Sequence, residues 1–352
     1  MSRAIITTSK DDPLVQEMKS PATDGKVLFV SYRENDCALL YRDNRILAVQ
    51  IYSNQMSRLI DSVYIAKIRD VVKNMDAYFV EIQKELVCFL PGKTCKNPIL
   101  INRVYDGRLL QGDHILVRVT KDAQKTKPPM VSADLSGEKY HPYLTASAHK
   151  SCYTCLKPPL KPWQTALKDV AYPDEYTEII TDNTALYNDL VTTFQEKESA
   201  LSIRLYDNTS ISLFGLYGLN KKLENAFNKR VWLKSGAYLI IEPTEALTVI
   251  DVNSGKFEAR KAMSEYAFDV NLEAAAEIAL QLRLRNLSGI ILIDFINMHN
   301  KELEEDLLEA MKNFVRTDRI PTRVVDLTPL GLMELTRQKS SRPLHEQICK
   351  KT

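Results

Sequence analysis

Between residues 26 and 51 apolar and polar positions alternate: Val27, Phe29 and Ser31, then Ala38 and Leu40, then Ile46, Ala48 and Gln50. A period of two marks strands that bury one face. The polar runs Arg33-Glu34-Asn35-Asp36 and Arg42-Asp43-Asn44-Arg45 divide the segment into a meander of three strands. Further short apolar runs at 63–68, 77–82, 88–90 and 114–119 have the spacing of a small antiparallel barrel. Residues 121–165 are rich in lysine and proline and show little periodicity, so they read as a loop-rich connector and a domain boundary. From 215 onward the pattern predicts a helix over 219–229, strands over 237–242 and 246–251, a helix over 268–286, a strand over 289–295, a helix over 300–315 and a strand over 321–326. Such alternation predicts an α/β layer structure. The apolar stripe of its longest helix runs through Leu272, Ala275, Ala276, Ala279 and Leu282, with Glu273, Glu277, Arg283 and Arg285 off the stripe.

Composition adds bounds. At 352 residues, with 45% apolar and 26% charged positions, the chain can bury a core and hold two or three domains. The net charge of +2 identifies no partner, although Arg337, Lys339, Arg342, Lys350 and Lys351 outnumber Glu334 and Glu346 in the last stretch. No apolar run approaches the roughly 18 residues that span a bilayer, and the N-terminus lacks the pattern of a signal peptide, so a cytoplasmic protein is expected. Six cysteines without dense spacing suit reduced thiols.

The candidate chemistry lies on two strands that both end in aspartate, over 247–255 with Asp251 and Asn253, and over 289–297 with Asp294. Carboxylates at the mouths of neighbouring strands, about 4.8 Å apart, can share a hard cation such as Mg²⁺. The plainer reading has both aspartates capping turns. Asn253 follows Asp251 by two residues, where its amide can orient the carboxylate. Lys234 and Arg283 read either as phosphate contacts or as solvated charges. In the connector, His141, His149, Cys152 and Cys155 supply four potential Zn²⁺ ligands in an unusual spacing; the alternative is a pair of unligated cysteines.

Long segments resemble the catalytic region of the ribonuclease E/G family: the run over 231–255, the run from Asn271 through Asp294 to Phe295, and the run from Gly331 to Lys339 that carries Arg337. Toward the N-terminus, 63–68, 76–80 with Phe79, and 89–91 with Phe89 are similar to the family's S1 domain, an OB-fold RNA-binding module. The architecture the resemblance implies is an RNase H-like subdomain (1–56 and 166–226) interrupted by an S1 domain (57–130) and a connector (131–165), followed by a DNase I-like catalytic subdomain (227–352).

It implies in turn a cytoplasmic, Mg²⁺-dependent endoribonuclease that cuts single-stranded RNA to 5′-phosphate and 3′-hydroxyl ends, in ribosomal RNA processing or messenger RNA turnover. Asp251 and Asp294 would hold the metal with Asn253 orienting them. Phe79, Phe89 and Lys127 would meet RNA in the OB-fold, with Tyr64 and Tyr78 as additions, and Arg337 and Lys339 would contact phosphate. A homodimer is expected because the family pairs its catalytic domains. Departures from the family stand out: the glycine usual before the first OB-fold strand is replaced, giving Asp61-Ser62-Val63-Tyr64 and Ala66. The 5′-monophosphate sensor, an Arg-Thr pair in the family, has no counterpart between 131 and 165. The cysteine pair of the family's zinc link is absent after Cys349, and Asn297 stands where the family often has a further aspartate. The absent sensor and Asn297 motivate the alternative of a non-cleaving RNA-binding relative.

Overall fold

Two turns set the first sheet. Arg33 and Glu34 (φ 47° and 63°) and Asp43 and Asn44 (φ 49° and 59°) are left-handed pairs. They are two-residue hairpin connections whose twist matches that of the strands they join. Asp43 and Asn44 tolerate that region, whereas Arg33 and Glu34 are held there by the pairing around them. In the computed structural model, which describes residues 24–53, 59–123, 127–135, 141–147, 150–195, 201–255, 263–339 and 341–348, these turns join β1 (Lys26–Tyr32), β2 (Asn35–Arg42) and β3 (Arg45–Tyr52). The meander read from the sequence is present.

Contacts divide the chain into two compact units, one from Ser53–Thr165 and one from Met1–Tyr52 with Ala166–Thr352. The first contains β4 (Val63–Val72), β5 (Ala77–Gln83), β6 (Leu86–Pro91), β7 (His114–Lys121), β8 (Met130–Ser132) and β9 (Cys155–Lys157). The order is β5-β6-β8-β7-β4-β9, and an additional β4–β5 pairing closes five of the strands into an OB-like barrel. Alternate residues Ile68, Val80, Ile82, Leu90, Val117 and Val119 fill its interior. A loop over 101–113 is pinned at its base, where the Arg103 guanidinium grips buried Asp113 through two 2.7 Å bonds.

The second unit holds two sheets. Beyond β1 lie β10 (Glu178–Thr181) and β11 (Ser202–Leu205), both parallel to it, in the order β11-β10-β1-β2-β3. The other sheet has β12 (Arg230–Trp232), β13 (Tyr238–Pro243), β14 (Leu247–Asn253), β15 (Gly289–Asp294), β16 (Thr322–Leu327) and β17 (Leu332–Arg337), in the order β12-β13-β14-β15-β17-β16. β14 and β15 are parallel and joined by the long helix Met263–Arg285. That helix and Lys301–Val315 cover one face of the sheet, burying Ile250, Ile291, Ile293, Met333 and Leu335 against Ala274, Ile278, Met311 and Phe314. Each large side chain so buried contributes about 1.5–3 kcal/mol. The opposite face is open: Val249 is 39% and Ile290 51% exposed.

The long helix is apolar on more than one side because its far side meets the first sheet's core through Leu284. It ends in a left-handed Asn286 (φ 50°), whose amide bonds to the Arg283 carbonyl while that of Leu287 bonds to the Leu282 carbonyl. This is a Schellman end with asparagine in the position glycine usually takes. Among the described residues no helix is long and apolar enough to cross a membrane.

Candidate active site

The open face of the second sheet presents the paired carboxylates. Along β14, Ile250 and Val252 point into the core, so Asp251 and Asn253 share the opposite face with Val249. β15 repeats the pattern with Ile293 inward and Asp294 exposed at its end. Asp251 and Asp294 are register partners on parallel strands, so their Cα atoms are separated by one strand spacing, about 4.8 Å. The Asn253 amide donates a 2.6 Å bond to Asp251 Oδ2, which fixes the carboxylate's orientation and leaves its other oxygen free of that bond. Among the described residues no lysine or arginine forms an ion pair with either aspartate. Two carboxylates completed by water are the hard oxygen set suited to Mg²⁺, so the residues fit that ion.

The loops around this face are held from below. Buried Asn271 donates to the Ile296 carbonyl (2.7 Å) and accepts from the Ile296 amide (3.0 Å), clamping the chain two residues past Asp294. Truncating a buried, doubly bonded amide leaves both backbone groups unpaired, so Asn271→Ala is expected to cost about 1–3 kcal/mol. Urea denaturation checks this, and an unchanged midpoint would show the clamp to be dispensable. Glu273 accepts from the Lys234 and Ser235 amides (2.6 and 3.3 Å) and so secures the β12–β13 turn. Gly255, at φ 67° just past Asn253, would place any Cβ 2.5 Å from the Gly236 carbonyl oxygen, so the loop leaving β14 can lie on that turn only as glycine.

Several expected residues take other roles. Arg337 is buried, not phosphate-facing. Its guanidinium bonds Asp318 through Nε (2.6 Å) and Nη2 (3.3 Å), and Nη1 reaches Asn286 Oδ1 (2.9 Å) and the Leu287 carbonyl (2.8 Å). With its side chain 1% exposed, it ties the last strand to the end of the long helix. The physical reason is its inward place in the alternation Met333, Leu335, Arg337. Lys339, two residues on, is exposed. Arg283 likewise grips Glu175 (2.7 and 2.9 Å) and the Val170 carbonyl, so it is a structural ion pair. Lys234 is exposed. Asn297 turns its side chain back to accept from the His299 amide at 2.9 Å, forming its own loop.

In the barrel, Phe79 and Phe89 are register partners facing outward, half-buried, with ring centroids 5.8 Å apart. Lys127 is exposed on the segment entering β8, two residues before Pro129, whose carbonyl accepts from the Phe89 amide. Tyr64 is 1% exposed and so presents no free ring face, while Tyr78 is half-buried against the barrel core. Burial pushes the Tyr64 hydroxyl's pKa up. Cys152 is half-buried and Cys155 exposed, both as free thiols. His149 and the His141 side chain lie outside the described residues. Among the described residues no three His, Cys, Asp or Glu side chains converge as a metal site.

A family model described as the Ribonuclease E/G family matches residues 115–340, which takes in β14, β15 and both aspartates. The chain belongs to the ribonuclease E/G family. Among curated relatives, Ribonuclease G of Escherichia coli (strain K12) is 35% identical over 187 residues, 53% of this chain and 38% of that protein. Ribonuclease G of Salmonella typhimurium (strain SL1344) is 40% identical over 137 residues, 39% of this chain and 28% of that protein. Ribonuclease E of Synechocystis is 46% identical over 137 residues, 39% of this chain and 20% of that protein. The chain thus matches well under half the length of these relatives. What family membership leaves unnamed is the outward aromatic and cationic group on β12 and β13, which sequence reasoning also missed. Its signal was an Arg-x-Trp on a three-residue strand, too short to register as periodic.

Proposed function

We propose that this chain is a Mg²⁺-dependent endoribonuclease that cuts single-stranded RNA to 5′-phosphate and 3′-hydroxyl products. The supporting observation is the in-register pair Asp251 and Asp294, with Asn253 bonded to the first and no protein cation between them among the described residues. When bound, Mg²⁺ activates a water and offsets the charge that develops on phosphate. The chain's own contribution is orientation. Asn253 fixes Asp251, the Asn271 clamp sets the loop after Asp294, and Gly255 lets the exit from β14 lie close over the neighbouring turn.

On this reading the barrel is an S1 domain, the sheet carrying the aspartates is a DNase I-like subdomain, and the first sheet is an RNase H-like frame. The substrates are ribosomal RNA precursors or messenger RNA in the cytoplasm, and a homodimer is the working form. Phe79 and Phe89 then offer stacking faces and Lys127 a phosphate contact. Stacking on one aromatic is worth about 1–3 kcal/mol. Phe79→Ala or Phe89→Ala should therefore weaken binding of a labelled single-stranded RNA by roughly 5- to 150-fold. Anisotropy titration in chelator reads this, and unchanged affinity in both variants would remove the barrel from the RNA path.

The direct test is cleavage of an end-labelled, A/U-rich single-stranded RNA with Mg²⁺ and with chelator. Metal-dependent cleavage supports the nuclease reading. Binding without cleavage in every divalent metal favours the non-cleaving relative that the Asn297 loop motivates.

A further inference from the structure

On the open face of the second sheet, beside the carboxylates, Trp232 is 63% exposed on edge strand β12. A side chain this large normally earns its place by burial, and on this strand the core position is filled by Val231. Trp232 is instead organised with two neighbours. Its ring lies 5.1 Å from that of Tyr238 at 57°, and the Arg230 guanidinium sits 4.6 Å from the Tyr238 centroid and 5.6 Å from that of Trp232. Register fixes where this group stands. Trp232 pairs with Tyr238 and Tyr238 with Asn253, while Arg230 pairs with Ile240, Ile240 with Asp251 and Asp251 with Asp294. Register partners point to the same face, so Tyr238 is adjacent to the Asn253 amide. Arg230 is two strand spacings, about 10 Å, from Asp251.

We infer that Trp232, Tyr238 and Arg230 form a stacking platform that receives a nucleobase of the RNA strand whose phosphate lies at Asp251 and Asp294. This rests on the nuclease reading. The exposed indole, steadied by the tilted Tyr238 ring and by the guanidinium packed over it, accepts any base by stacking, and the guanidinium offers a cation to the adjoining phosphate. The single-stranded occupant is favoured by continuity. The platform shares one sheet face with the carboxylate pair, and Arg230 brings the positive charge that a polyanion needs and the aspartates lack. A base held there tethers the strand beside the carboxylates, so the platform acts through affinity, equally in the bound substrate and in the transition state.

The chain has two tryptophans, Trp163 and Trp232. Trp163 is 4% exposed, so RNA-dependent quenching of indole fluorescence reports on Trp232. The test uses the full chain, an A/U-rich oligoribonucleotide and chelator to block cleavage, followed by steady-state kinetics in Mg²⁺. Expected are quenching in the wild type and its loss in Trp232→Phe. Trp232→Ala should raise Kd and KM about 10-fold with kcat within about 2-fold, and Trp232→Phe should restore most of the affinity. Quenching without cleavage in any metal would overturn the nuclease reading and leave the platform standing. Cleavage with no quenching and unchanged KM in Trp232→Ala would overturn the platform alone. So would a Trp232→Ala effect confined to oligomeric state, which would make this face a protein interface. Failure to bind RNA at all would overturn both.

Discussion

Asp294→Ala is expected to lower the rate of RNA cleavage by about 10³-fold or more while leaving the folded protein and its affinity for RNA in chelator nearly unchanged. Asp294 closes β15 on the exposed face, where among the described residues it packs against no core and pairs with no cation. Its removal therefore costs little packing and takes away one of two carboxylates facing each other across the β14–β15 register. Because the surviving Asp251 keeps its Asn253 bond, the variant isolates the loss of charge from any loss of orientation. Single-turnover cleavage at saturating Mg²⁺, with a melting curve on the same sample, is the measurement. Residual activity within tenfold of wild type would sink the two-carboxylate assignment.

The largest effect on stability should come from a residue first read as a nucleic-acid contact. Arg337→Ala leaves Asp318 as a buried charge without its partner, and breaking such a pair from one side costs about 3–5 kcal/mol. It also removes the donors that hold Asn286 and the Leu287 carbonyl at the end of the long helix. Replacing both members of the pair by apolar residues, Arg337→Met with Asp318→Leu, should recover much of the loss, because the cost lies in the orphaned charge. Exposed Lys339→Ala should leave stability unchanged. Denaturant unfolding of the four proteins decides it, and a loss below about 1 kcal/mol for Arg337→Ala would show that the pair is not worth what its burial implies.

Those two residues also show what the sequence could and could not disclose. Asp251 and Asp294 were legible because each ends a short apolar run whose alternation puts it opposite the core, and two such runs joined by a helix have few ways to pair. The first three strands, the barrel strands and the long helix were legible for the same reason, their periods being long enough to count. For Arg337 the family resemblance implied a phosphate contact, whereas the period-two pattern of Leu332–Arg337 makes it an inward residue of a strand between β15 and β16. β12 escaped notice at three residues, and with it Trp232. Asn271 could not be read as a clamp at all, since its partner at Ile296 lies across a tertiary contact that no local pattern encodes. Which barrel aromatics face outward needed the barrel's inside and outside to be told apart, which pairing of Phe79 with Phe89 and burial of Tyr64 now do.

The pairing of β1 with β10, Lys26 opposite Glu178 through Phe29 opposite Thr181, has a consequence for biosynthesis. A ribosome releases β1, β2 and β3 before the whole of the unit over Ser53–Thr165, and only afterward the strand that covers the β1 edge. The barrel is contiguous in sequence and can fold in the interval, as domains generally do during synthesis. Through that interval the meander waits with a row of unsatisfied backbone donors and acceptors on β1, a template for unwanted strand addition. Strands made before the barrel are thus completed only after it, and until then the nascent chain carries an open edge on β1, far in sequence from the carboxylates.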